Sequence, residues 1–151
     1  AEAPRRAGVP LDTDLEAIAA AARHLGVKRV ALATRWHQPL NDAVARYLES
    51  AGVAVVGQQA SGRTMAENAS LGAADGMRMA IELGRAALNA APSAQGLVLP
   101  GGRWLSVHAV AVLEAEFGKP VFLNLNSSLW AALHGAGRGL PVAGQGMLLA
   151  S

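Results

Sequence analysis

An α/β fold, a four-stranded parallel sheet flanked by helices, is what the sequence predicts, and three observations predict it. Residues 30–33, 53–56, 97–99 and 120–123 are short runs in which neighbouring positions are both apolar, the pattern of strands covered on both faces. The stretches between them repeat apolar residues at helical spacing and end at glycine or before proline. Strands alternating with helices pair in parallel, through crossovers that place helices on both faces of the sheet.

The elements follow in order. Leu15, Ile18, Ala22 and Leu25 carry a first helix behind the cap candidates Asp12 and Thr13, and Gly26 closes it. After the strand at 30–33, Leu40, Val44, Tyr47 and Leu48 share one face of a second helix that ends near Gly52, and 53–56 is the next strand. Residues 57–67 are polar and fit neither period, so they read as a loop of functional length. Met77, Ala80, Ile81 and Leu88 mark a long helix that stops before Pro92, ahead of the strand at 97–99. Val110, Leu113 and Phe117 stripe the helix before the strand at 120–123. A last helix starts at Ser127 with Leu129 and Leu133 facing inward.

With 151 residues, 52% apolar and 16% charged, the chain can build the core of one domain. Lys and Arg exceed Asp and Glu by only 13 to 11, and the pairs Arg5-Arg6 and Lys28-Arg29 have no interleaved aromatics, which argues against a nucleic-acid partner. No apolar run approaches the ~20 residues of a membrane span. No charged segment precedes a short apolar one either, and the expectation is a cytoplasmic protein without a membrane partner. The absence of cysteine excludes disulfides, zinc-thiolate sites and thiol nucleophiles from the chain. His24, His37, His108 and His134 have no metal-ligand spacing, so neither a metal nor a cofactor is expected.

In an open parallel sheet, ligands collect at the carboxyl ends of the strands. That rule selects the segment Thr34-Arg35-Trp36-His37, the polar stretch 58–68, the turn Pro100-Gly101-Gly102-Arg103-Trp104, and residues 124–128. At the glycine turn an apolar strand stops and a helical pattern opens at Ser106. Two adjacent glycines there can bring backbone N–H groups up against an anion.

These segments carry a resemblance. Ala33-Thr34-Arg35-Trp36, with Asn41 five residues on, is similar to a strand ending Ala-Thr-x-Tyr before a helix bearing Asn, in the maleate isomerase and arylmalonate decarboxylase branch of the aspartate/glutamate racemase superfamily. Asn68-Ala69-Ser70-Leu71-Gly72, with Asp75, looks like the maleate isomerase segment whose Asn binds a carboxylate. The tail Gly144-Gln145-Gly146-Met147-Leu148-Leu149 resembles the family's closing Gly-x-Gly-x-Leu-Leu. The resemblance runs from about Gly8 to the end and covers only the second half of a family member. It implies that residues 1–151 are a single α/β lobe of a two-lobe racemase-like fold. The first lobe is then missing from the sequence, or a homo-oligomer stands in for it.

The resemblance also places departures. Gly101 stands where the family has a cysteine, and Trp36 where it has a tyrosine; an indole N–H can donate but cannot accept or give up a proton. By resemblance, Gly101, Gly102 and Trp36 are the catalytic candidates, and Asn68, Arg103, Ser106 and Asn41 the substrate-binding ones. The implied function is a cofactor-independent decarboxylase or isomerase acting on a small dicarboxylate or aryl-dicarboxylate through an enediolate, without the usual cysteine in this half. The alternatives are a non-catalytic small-carboxylate-binding protein and an assembly lobe.

Each residue also has a plainer reading, and both stay open. Gly101 and Gly102 can be simple turn glycines, and Arg103 a solvated arginine rather than a bidentate carboxylate clamp. Trp36 and Trp104 can plug the edge of the core or form a flat wall for an unsaturated substrate. Ser106 fits an N-cap as well as a pocket hydroxyl. His37 and His108 are candidates for a general base by virtue of titrating near neutrality.

Overall fold

The computed structural model describes residues 13–101, 104 and 106–151; Asp12, Gly102 and Arg103, singled out above, lie outside the described residues. The chain runs α1 (Asp14–His24), β1 (Arg29–Thr34), α2 (Gln38–Ser50), β2 (Ala54–Ala60), α3 (Met65–Ala69), α4 (Ala73–Ala90), β3 (Gly96–Leu99), α5 (Val107–Phe117), β4 (Val121–Leu123) and α6 (Asn124–Gly135). The four strands form one parallel sheet in the order β2-β1-β3-β4.

Alternation along each strand divides the core in two. Val30, Leu32, Val98 and Phe122 point to one face, where Ile18 of α1, Leu48 of α2 and Trp130 of α6 close over them. Ala31, Ala33, Leu97, Leu99, Val121 and Leu123 point to the other, under Ala80 and Leu88 of α4 and Leu113 of α5. All ten strand residues are at most 3% exposed, as a doubly covered sheet requires.

Local chemistry sets the element ends. Thr13 caps α1 by accepting from the Glu16 N–H, and Gly26 and Gly52 take positive φ just past α1 and α2. Thr64 and Glu67 make a reciprocal capping box on α3. Asn126 joins β4 to α6, its Oδ1 accepting from the Leu123 N–H and its Nδ2 donating to the Val121 carbonyl.

Four expectations need correction. Residues 57–67 are not one loop: β2 continues to Ala60 and α3 opens at Met65. As an edge strand, half exposed along its length, β2 needs no apolar run, and its register against β1 slips where Val56 bulges out. Leu40 is exposed at the first turn of α2, and buried Asn41 takes the inward place. The last helix begins at Asn124, three residues early, because the Asn126 side chain satisfies the end of β4. Its inward face is Asn126, Ser127 and Trp130, with Leu129 exposed. Ser106 occupies the N-cap position of α5 without capping it; its hydroxyl donates to the Trp104 carbonyl instead.

Among the described residues no helix is long and apolar enough to cross a membrane.

Glu16 ties α1 to α2. The Tyr47 hydroxyl donates to Oε2 at 2.8 Å and Arg23 pairs with Oε1 at 3.1 Å. The Tyr47 bond first, and Arg23 second, hold the Glu16 carboxyl below the usual carboxylate range. A lowered carboxylate pKa adds stability that is complete above the ordinary carboxylate range and is lost as pH falls through the lowered value. Tyr47→Phe is therefore expected to move the Glu16 titration upward in a carboxyl-carbon NMR series and to shrink the acid-sensitive part of stability. An unmoved titration would remove Tyr47 as its cause.

Candidate active site

The strand-end rule gathers most of the expected segments at one edge. Trp36 follows β1, Gly101 follows β3 and Asn124 follows β4. Gly101 has φ +130°, and a Cβ built there would lie 3.3 Å from Cζ2 of Trp36. The turn is thus shaped for glycine on two counts, its backbone angle and the indole above it. The Gly101 N–H donates to Asn124 Oδ1 at 3.0 Å, and the Gly101 carbonyl accepts from the Trp104 N–H at 3.1 Å.

A cavity of about 310 Å³ opens beside this turn. Trp104, Val107, Leu123 and Leu125 form its apolar wall, and Gly101, Ser106, Asn124, Ser128 and Asp14 its polar end. Trp104 is 6% exposed and spends its indole N–H on the Gly76 carbonyl at 2.7 Å, so it packs into the core while one side faces the cavity. Trp36 is half-buried and packs on the opposite core cluster from Trp104.

The remaining candidates sit farther from the turn. Asn68 is buried, its Nδ2 donating to the Arg35 carbonyl at 2.9 Å, and it lines a separate cavity of about 110 Å³ with Arg35, Met65 and Leu71. A carbonyl oxygen can only accept, so the Asn68 amide turns its NH₂ to the protein. Asn41 is fully buried and donates to Gln58 Oε1 at 2.8 Å, bracing α2 against β2. His37 is exposed at the N-cap position of α2, and His108 lines a third cavity beside the 144–146 tail segment. Neither histidine lines the cavity at Gly101.

The expectation of free backbone donors at the turn is altered. The described N–H groups of the turn, those of Gly101, Trp104 and Ser106, all bond within the protein, because the turn closes on Asn124 and on its own carbonyls. Two residues were given no role of their own. Arg35 is 7% exposed, with its guanidinium carbon 6.0 Å from the centre of the Trp104 ring. Asp14 reaches Asn124 from 110 positions away, a contact that carries no local sequence signal.

The arylmalonate decarboxylase family model matches residues 1–149. The chain belongs to the arylmalonate decarboxylase family. The arylmalonate decarboxylase of Bordetella bronchiseptica is 31% identical over 132 residues, 87% of this chain and 54% of the relative. The structure of unliganded arylmalonate decarboxylase superposes with a TM-score of 0.84 at 30% identity, covering 98% of this chain and 62% of that one. Nocardia farcinica maleate cis-trans isomerase bound to TRIS superposes with a TM-score of 0.79 at 25% identity, covering 93% and 56%. The chain therefore spans a little over half the length of these arylmalonate decarboxylase and maleate isomerase relatives.

Proposed function

We propose that this chain is one lobe of a cofactor-independent decarboxylase or isomerase acting on a small dicarboxylate or aryl-dicarboxylate through an enediolate-type intermediate. The observation that carries the reading is the cavity of about 310 Å³ at the carboxyl ends of β3 and β4, where an apolar wall meets a polar end at the Gly101 turn. Decarboxylation breaks one C–C bond and leaves its electron pair on a carboxylate-bearing carbon, where hydrogen-bond donors stabilise the developing oxyanion. In this reading Gly101, Gly102 and Trp36 are assigned to the reacting carbon, and Ser106 and Arg103 to a carboxylate. Asn68 serves a second carboxylate or carbonyl by releasing its NH₂ from the Arg35 carbonyl, and Asn41 braces α2 against β2 through Gln58. The acid/base group lies outside this chain, in a first lobe supplied by a longer polypeptide or by another copy.

A non-catalytic carboxylate-binding or assembly role is favoured by one observation, the commitment of the Gly101 N–H to Asn124 in a chain without cysteine. Calorimetry of the full polypeptide with phenylmalonate, malonate and maleate separates the readings, alongside CO₂ release from phenylmalonate. Asn68→Ala is expected to weaken binding by about 1–2 kcal/mol, the loss of a hydrogen bond to a charged group. A side chain added at Gly102 is expected to weaken it more. Binding without turnover selects the binding protein; no binding, or binding indifferent to both changes, selects the assembly lobe.

A further inference from the structure

We infer that Asp14 and Asn124 are positioning residues, a relay that holds the Gly101 turn at the mouth of the cavity. Asn124 Nδ2 donates to Asp14 Oδ2 at 2.7 Å, Asn124 Oδ1 accepts from the Gly101 N–H at 3.0 Å, and the Ser128 hydroxyl donates to Asp14 Oδ1 at 3.0 Å. Each group has one way to face. The Gly101 N–H only donates and the Asp14 carboxylate only accepts, so the Asn124 carboxamide is fixed with its oxygen toward the turn and its NH₂ toward Asp14. Ser128 occupies the other carboxylate oxygen and fixes the Asp14 rotamer in turn.

The relay joins the first turns of α1 and α6 to the end of β3, and α1 packs along α6. Asp14 is exposed and Asn124, Ser128 and Gly101 are partly so; all four line the same cavity. A network at the rim of a cavity adds little to the core. Its effect is to keep a glycine, the residue with the widest backbone freedom, at φ +130° rather than elsewhere.

The test compares Asp14→Ala, Asp14→Asn and Asn124→Ala in the full polypeptide, reading amide exchange at Gly101 by nitrogen-resolved NMR. Asparagine at position 14 keeps an oxygen for Asn124 and an amide for Ser128, so Asp14→Asn should leave Gly101 protected. Asp14→Ala and Asn124→Ala should each speed its exchange about tenfold or more, with thermal midpoints little changed. Gly101 protection that survives Asp14→Ala overturns the relay, and so does an Asp14→Asn variant as unprotected as Asp14→Ala.

A second readout rests on the proposed function. Phenylmalonate should bind about tenfold more weakly to the two alanine variants and within about twofold of wild type to Asp14→Asn. Wild-type protein that binds no phenylmalonate would sink the carboxylate reading alone, since the exchange comparison decides the relay without it. Binding equal in all four proteins would count against the relay.

Discussion

Phe122→Ala is expected to destabilise the protein by about 3–5 kcal/mol, the range for deleting a buried aromatic side chain. Phe122 lies in β4, has no exposed surface, and is the largest of the fully buried side chains. It packs with Val98, Leu32 and the helices on that face, and its ring reaches Gly96, where an added Cβ would lie 3.0 Å from Cε2. The site cannot collapse easily, because β4 is anchored at Val121, whose N–H donates to Glu114 and whose carbonyl accepts from Asn126. Urea denaturation followed by circular dichroism measures the loss, and a cost below about 1 kcal/mol would mean that β4 is not fixed in the core as described.

Glu114→Ala is the second large effect, expected at about 2–4 kcal/mol from two backbone donors left without an acceptor. Glu114 is only 7% exposed although it is charged. Its Oε1 accepts from the Val121 N–H at 3.0 Å and its Oε2 from the Met147 N–H at 2.8 Å, so one carboxylate joins the start of β4 to the tail. The tail then sets Leu148 and Leu149 into the core. Glu114→Gln keeps one acceptor and points an NH₂ at the other N–H, so it is expected to cost part of the alanine loss. Hydrogen exchange should show Val121 and residues 147–149 opening together in either variant. Opening of the tail without Val121 would show that Glu114 is not the link.

The sequence was a good guide where the physics is local. Apolar runs give β1, β3 and β4 because those strands are covered on both faces, and glycines mark the ends of α1 and α2 because the chain turns there with positive φ. It was a poor guide at β2. The polar second half of β2 is held by pairing with β1, so its side chains, Gln58 and Gln59 among them, carry no strand period. Leu40 and Leu129 fit helical spacing yet face outward, because Asn41 and Asn126 turn inward to meet Gln58 and the end of β4. The Gly101 turn was legible from its glycines and the Trp36 position from its strand end. The engagement of the Gly101 N–H was not, since it depends on Asn124 and Asp14, 23 and 110 residues from their partners.

The close approach of Trp36 to Gly101 makes substitutions at the two positions interdependent. A cysteine placed at 101 alone would put its Cβ 3.3 Å from the indole and force a side chain into a backbone region at φ +130° that costs about 1–3 kcal/mol. A smaller ring at 36 alone would leave a gap over the glycine. Each change is unfavourable in the background of the other residue, so the effects of substitutions at 36 and 101 are not expected to add. A smaller ring at 36 relieves the contact with a side chain at 101 while the backbone cost at φ +130° stays, a partial coupling that a scan of single substitutions would miss.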